Sequence, residues 1–207
     1  MNNNLVNAEV LPANSFFDGL IALNSLADRG FAQWAFYPGM LFGAKQKWWS
    51  PGSRGIAHEG IDLCLFLDTN GTLCCLDSGA QIPAVYDGRV ESAIDDFLGK
   101  TLFLRHDIRR SDGALLHSVY GHVTPCCAAG VQAKQGVALA AVSSKGSGAA
   151  GMLPHLHLSM AWISPTTRAG ELNWKTLATS PSVCLIDPIT ALGLRHSIVH
   201  QQGELSK

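Results

Sequence analysis

The 207 residues carry 15 Lys+Arg against 16 Asp+Glu, a net charge of −1, and only 15% are charged. That balance gives no electrostatic basis for binding nucleic acid or an anionic membrane surface, and no apolar run approaches the roughly 20 residues needed to span a bilayer. The length suits one domain of generous size with a real core, and the 21 glycines favour a turn-rich, mostly β chain over a helical bundle.

The first residues, Met1 to Leu5, have neither a basic nor a hydrophobic region and do not read as a signal peptide. The six cysteines include two vicinal pairs, Cys74-Cys75 and Cys126-Cys127, plus Cys64 and Cys184. No Cys-x-x-Cys pair suggests a zinc ribbon, and the spacing is not that of a disulfide scaffold, so buried reduced thiols are expected. By sequence alone these features point to a reducing, cytoplasmic setting or to a chain whose export signal has been removed.

Residues 14–30 read as a helix, with Asn14 or Ser15 as cap, Phe16, Phe17, Leu20, Ile21, Leu23 and Leu26 as the apolar stripe, and Gly30 as terminator. The stretch 31–51 is dense in aromatics, among them Trp34, Phe36, Tyr37, Trp48 and Trp49. Such density packs a core or walls a groove. Adjacent residues on an extended chain face opposite ways, so at most one of Trp48 and Trp49 can face a groove, which favours the core. His58 and Asp62 are four apart, but Gly60 and the run Ile61 to Phe66 argue against a helix there. A turn through Glu59-Gly60 feeding a strand lets the two converge.

Short strands and turns follow. Asn70-Gly71 is a hairpin dipeptide, residues 81–90 read as strand, Asp-Gly turn and strand, and 101–106 and 115–123 are strands joined through 109–113. Two more short strands flank Lys134-Gln135-Gly136. Strands at this spacing indicate an antiparallel sandwich or barrel. After a glycine-rich segment, 145–151, comes an alternating apolar run holding His155-Leu156-His157. On a strand the two histidines share one face, where they can bind a metal together or divide metal binding and proton transfer. His106, His117, His196 and His200 read as structural or solvent-facing. Strand alternation from His122 puts His117 on the face away from the site.

The order of His58-x-x-x-Asp62, Ala84 to Val90, Tyr120-Gly121-His122-Val123, Lys134-Gln135-Gly136, the glycine-rich segment, His155-Leu156-His157 and Cys184 to Ile189 resembles the lysostaphin-type (LytM-like) zinc metallopeptidases. The likeness covers about residues 54–192. It implies a two-sheet antiparallel β-sandwich with a groove along one sheet, here carrying an N-terminal helical extension. It implies zinc ligands His58, Asp62 and His157, a catalytic pair His122 and His155, and short peptidoglycan peptides as substrates. It also implies a cell-envelope or secreted location. On this reading residues 1–50 are the helical and aromatic extension, 51–195 the metallopeptidase domain and 196–207 a polar tail.

Two His and one Asp form a three-ligand set that leaves a fourth position for water, the pattern of a catalytic zinc site. The absence of His-Glu-x-x-His excludes a helix-borne zincin mechanism. The family often has a tyrosine upstream of its first ligand. Trp48, Trp49, Ser50 and Arg54 stand there instead, with Arg54 either replacing the tyrosine or forming a surface salt bridge. Residues 72–79 and 166–182 look like added loops. The alternatives are a catalytically silent LytM-like binding or activator module, and a phosphocarrier-like β-sandwich using a surface histidine pair.

Overall fold

In a computed structural model the chain is described over residues 11–145 and 152–200. The start of the chain, most of the glycine-rich segment (146–151) and the end of the polar tail (201–207) lie outside the described residues. The elements in chain order are α1 (Phe16–Leu23), β1 (Phe31–Phe36), β2 (Ile61–Leu63), β3 (Leu65–Asp68), β4 (Leu73–Cys75), β5 (Gln81–Pro83), β6 (Gly88–Asp96), β7 (Gly99–Arg109), β8 (Leu115–Pro125), β9 (Gln132–Ala133), β10 (Ala138–Val142), β11 (Leu156–Ile163), α2 (Trp174–Thr179), β12 (Val183–Ile186), α3 (Pro188–Leu192) and β13 (His196–Ile198). The chain is mostly β, as its glycine and turn content implies.

The helix expected over 14–30 is interrupted. α1 stops at Leu23, Ser25 turns left-handed at φ 48°, and Leu26–Arg29 wind as a 3-10 turn closed by Gly30 at φ 73°. Asn24 accounts for the break. Its side chain donates to the Leu20 and Gln81 carbonyls at 2.8 and 2.9 Å and accepts from the Gln81 N–H at 2.7 Å. A side chain that bonds nearby backbone offers an alternative to the helical ladder, and here it ties the helix end to β5.

The strands form two sheets. The smaller has the order β13-β1-β3-β4, antiparallel except for the parallel β13–β1 pair, where Trp34 faces His196. The larger runs β12-β11-β8-β7-β6-β9, with β2 also on β11, and with β10 between β8 and β5. The small sheet joins residues from all three segments drawn from the sequence, 1–50, 51–195 and 196–207. Residues 31–36 and 196–198 are thus built into the same sheet as residues 65–68 and 73–75. The aromatic stretch read as core packing or a groove wall supplies strand β1: the Phe31 ring lies 5.0 Å from Trp34 and 5.5 Å from Phe66 of the neighbouring β3. Likewise 72–79 holds the strand β4 and 166–182 the helix α2.

β11 shows how the core is organised. Its alternate residues Leu156, Leu158, Met160 and Trp162 enter the main core together with Trp34, Phe36 and Phe66 of the small sheet. Ala161 and Ile163 face the other way and join Phe103, Val119, Leu172 and Leu177 in a second cluster. The segment around α2 thus covers the outer face of the large sheet, so β11 is buried along its whole length. The six cysteines are free, but only Cys64 is buried, and Cys126 is exposed.

Candidate metal centre

Three elements deliver three lone-pair donors to one point. His58 ends the loop that precedes β2 and is pinned there by its N–H bonding the Ala44 carbonyl at 3.0 Å and by Gly43 N–H bonding its own carbonyl at 2.9 Å. Its Nδ1 lies 3.0 Å from the Leu41 carbonyl. A carbonyl only accepts, so Nδ1 carries the proton and the Nε2 lone pair points inward. The turn through Glu59-Gly60 then starts β2. A Cβ at residue 60 would overlap the Leu158 carbonyl, so only glycine lets β2 lie this close to β11.

Asp62 on β2 stands directly opposite His157 on β11. His157 Nε2 is 2.9 Å from Ser159 Oγ, which turns Nδ1 towards the group. His58 Nε2, Asp62 Oδ1 and His157 Nδ1 are separated by 3.0–3.1 Å. Around a tetrahedral zinc with ligand bonds of ~2.0–2.1 Å, ligand atoms stand about 3.3 Å apart. The donor set and its spacing fit a metal ion. Among the described residues these three form a possible metal-holding group, and all three are buried.

Burial pushes the Asp62 carboxyl up, but His58, His155 and the bond from His157 outweigh it and hold the group well below the usual carboxylate range. Burial pushes His157 down to about 3 and also lowers His155. An ionised Asp62 beside a neutral His157 is the state that ligates a divalent cation.

Asp62 Oδ2 faces away from the other two ligands. It accepts from Trp48 Nε1 at 2.7 Å and from Arg54 Nη2 at 3.2 Å. Arg54 thus forms a largely buried ion pair with Asp62 and not a surface salt bridge. It is mostly buried, donates also to the Gly39 carbonyl at 3.1 Å, and lies 4.6 Å over the Trp49 ring. Trp48 does pack in the core, but its polar edge serves the site.

His155 precedes β11. Its Nδ1 lies 2.8 Å from the Leu153 carbonyl, which leaves Nε2 on the side of Asp62, 3.8 Å from Oδ1. The His122 ring lies 4.9 Å from His155 and 6.0 Å from His157. All five residues singled out in the sequence therefore meet.

No family model matches the chain and no curated protein matches it. Solved structures do. One is the solution structure of lysostaphin, at 20% identity and a TM-score of 0.43, over 66% of this chain and 43% of that chain. Another is the catalytic domain of the antimicrobial peptidase lysostaphin from Staphylococcus simulans, at 18% identity and 0.45, over 82% and 97%. A third is a mutant catalytic domain of the prophage-encoded M23 protein EnpA from Enterococcus faecalis, at 22% and 0.40, over 68% and 95%. The chain is similar to lysostaphin-type peptidase domains. It spans less than half of the full lysostaphin chain, and at these identities its chemistry is read from its own side chains.

One expectation fails. His117 does not lie on the face away from the site. The ladder sets Gly121 against His157, Val119 against Ser159 and His117 against Ala161, and residues opposed in a ladder share a face. His122 is the residue out of phase: at φ 63° its backbone is left-handed, which turns the imidazole to the face that alternation denies it. His117 is structural, buried, with Nε2 3.2 Å from Glu91 Oε2.

Three neighbours carried no signal in the sequence. Asp96, at the end of β6, bonds both the backbone and the ring of His122. Phe97 is 69% exposed with its ring 5.0 Å from His122. Trp174 of α2 stands edge-on to His157 at 4.8 Å. Each is brought in by a long-range contact that no local spacing announces.

Proposed function

We propose that the protein is a zinc-dependent endopeptidase that cleaves short peptides of bacterial peptidoglycan, in the cross-bridge or stem. The observation that carries this reading is the convergence of His58 Nε2, Asp62 Oδ1 and His157 Nδ1 at 3.0–3.1 Å, with two further imidazoles alongside. Three protein ligands leave a fourth position for water or substrate, as catalytic sites do and closed structural sites do not. Zinc held there supplies a Lewis acid that polarises a peptide carbonyl and brings the pKa of water to near neutrality.

The remaining work falls to the protein. His155, its Nδ1–H engaged by the Leu153 carbonyl and its pKa lowered by burial, presents a neutral Nε2 able to take a proton. His122 is the second imidazole. Between them the pair takes the proton of the attacking water, delivers it to the leaving amine and donates to the developing oxyanion. Trp48 and Arg54 neutralise the far oxygen of Asp62 and fix its orientation.

The peptidoglycan substrate class is supported by the likeness of the sequence motifs, and a location in the cell envelope or outside the cell is proposed along with it. The intact five-residue set supports an active enzyme over a silent module of the same fold. The test is metal content by elemental analysis, followed by digestion of purified peptidoglycan with and without a chelator. About one zinc per chain and chelator-sensitive release of peptides are expected. Zinc-loaded protein that releases nothing would leave the silent module.

A further inference from the structure

Asp96 is an acid at the site that holds no position in the metal group, and its surroundings are those of a built partner for His122. Its side chain is 1% exposed and accepts four bonds. Oδ1 accepts from the Leu98 N–H at 2.8 Å and lies 3.2 Å from His122 Nδ1. Oδ2 accepts from Thr101 Oγ1 at 2.8 Å and from the His122 N–H at 3.0 Å. The bonds to Leu98 and Thr101 would suffice to build the hairpin between β6 and β7. The two bonds to His122 do something else. They hold a residue whose backbone is left-handed and grip its ring from behind.

Burial alone would raise the Asp96 carboxyl, yet the bonds from His122 and Thr101 hold it far below the ordinary carboxylate range. Three donors already converge on the carboxylate, the N–H groups of Leu98 and His122 and the Thr101 hydroxyl, so it acts as an acceptor and His122 Nδ1 as the donor. The lone pair of His122 is then on Nε2, on the opposite edge of the ring, the edge away from Asp96. His155 is backed differently, by the neutral Leu153 carbonyl. The two imidazoles thus differ in their support: one by a carboxylate, one by a peptide oxygen.

We propose that Asp96 is a positioning residue of the catalytic apparatus. It holds His122 as the Nδ1–H tautomer and leaves its Nε2 lone pair on the edge away from Asp96, free to take a proton from water. The proton leaves again to the departing amine, so Asp96 itself is never protonated. A carboxylate behind a histidine acts in this way in hydrolytic triads. The inference rests on the peptidase reading for its catalytic half, and its tautomer half stands on geometry alone.

The experiment has two arms. Long-range ¹H–¹⁵N spectra of the zinc-loaded and zinc-free protein read the His122 tautomer directly, with His122→Gln used for assignment. A protonated Nδ1 is expected in the wild type, and its loss in Asp96→Asn, where the amide oxygen keeps the Thr101 hydroxyl and His122 N–H at the Oδ2 position and the amide nitrogen, a donor, faces Nδ1. The second arm measures peptide cleavage. Asp96→Asn should lower kcat by about 10²-fold with KM and zinc content little changed, and Asp96→Glu should restore part of it. Combining Asp96→Asn with His122→Ala should cost no more than His122→Ala alone, whereas a merely structural role would add its loss to that of the histidine. An Nε2–H tautomer in the wild type, or a tautomer and kcat both unmoved in Asp96→Asn, overturns the proposal. A wild type that shows the Nδ1–H tautomer but no cleavage sinks the peptidase reading and leaves the Asp96–His122 pairing standing.

Discussion

Replacing Trp48 by Phe removes the indole N–H while keeping an aromatic ring in the core, which makes it a sharp probe of the metal group. The indole is 4% exposed and its Nε1 lies 2.7 Å from Asp62 Oδ2, a bond to a buried ionised carboxylate. Such bonds contribute about 1.5–3 kcal/mol. Arg54 remains on the same oxygen at 3.2 Å, so the carboxylate is weakened and not abandoned. A loss of about 2 kcal/mol lowers the melting temperature of a chain this size by about 4–8 °C. Because Oδ2 orients the carboxylate whose Oδ1 faces His58 and His157, zinc affinity should also fall, by about 10–100-fold. Trp48→Ala should cost more, about 3–5 kcal/mol, since it also empties a core position. Thermal melts of the metal-free protein and zinc titration against a competing chelator read both quantities. An unchanged melting temperature together with unchanged zinc affinity in Trp48→Phe would refute the claim that the indole supports the ligand.

Asp62→Ala and His157→Ala should abolish zinc binding, whereas His155→Ala should keep the metal and lose about 10²–10⁴-fold in turnover; full zinc in Asp62→Ala would show the ligand set to be wrong. His106 is buried neutral, its pKa pushed down to about 4 by burial from an ordinary value of 6.5. The unfolded chain takes the proton first as pH falls, so this stabilisation is complete above pH 6.5 and is lost between there and about pH 4. The loss is of the order of 3 kcal/mol. Denaturant titrations over that range should give a shallower acid slope for His106→Gln than for the wild type, and equal slopes would count against it. Gly60→Ala should destabilise the fold and displace β2 from β11, because its Cβ meets the Leu158 carbonyl; a wild-type melt and full zinc occupancy would contradict that.

The strands of the large sheet were legible because they follow local rules, whereas the ligand set was legible only through the resemblance of the ordered motifs to a known family. The run from Leu156 to Ile163 alternates, and its phase placed His157 and the leucines on opposite faces before any fold was known. The Glu59-Gly60 turn was legible for the same reason: a glycine ahead of an apolar run punctuates a strand. What escaped is what depends on partners distant in sequence. Strand β1 owes its existence to residues 65–68 and 196–198, so no window around residues 31–36 contains the cause. Helix α1 ends where Asn24 finds Gln81, 57 positions away. Arg54 could be weighed only as an oxyanion group or a surface ion pair, because the burial of Asp62 that defines its role is a property of the assembled site.

The Gly121-His122 pair shows why counting along β8 misplaced His117. The register puts residue 121, not 122, opposite His157, so a histidine obeying alternation would have to stand at 121. A side chain there would have to displace the Trp174 indole. A Cβ at residue 121 would lie 2.9 Å from Trp174 Cζ2 and 3.3 Å from His157 Cβ. The position that alternation assigns to the site is already filled by the α2 segment and the metal ligand. The imidazole has to come from the next residue, whose backbone must turn left-handed to bring it round, at φ 63°. That conformation is costly for a residue with a Cβ, and it persists because the backbone is held on both sides: Asp96 takes the His122 N–H and the Ser143 N–H bonds its carbonyl. The packing of Trp174 on Gly121, the left-handed histidine and the buried aspartate are therefore parts of one arrangement, which a period-two reading of the strand has no means of expressing.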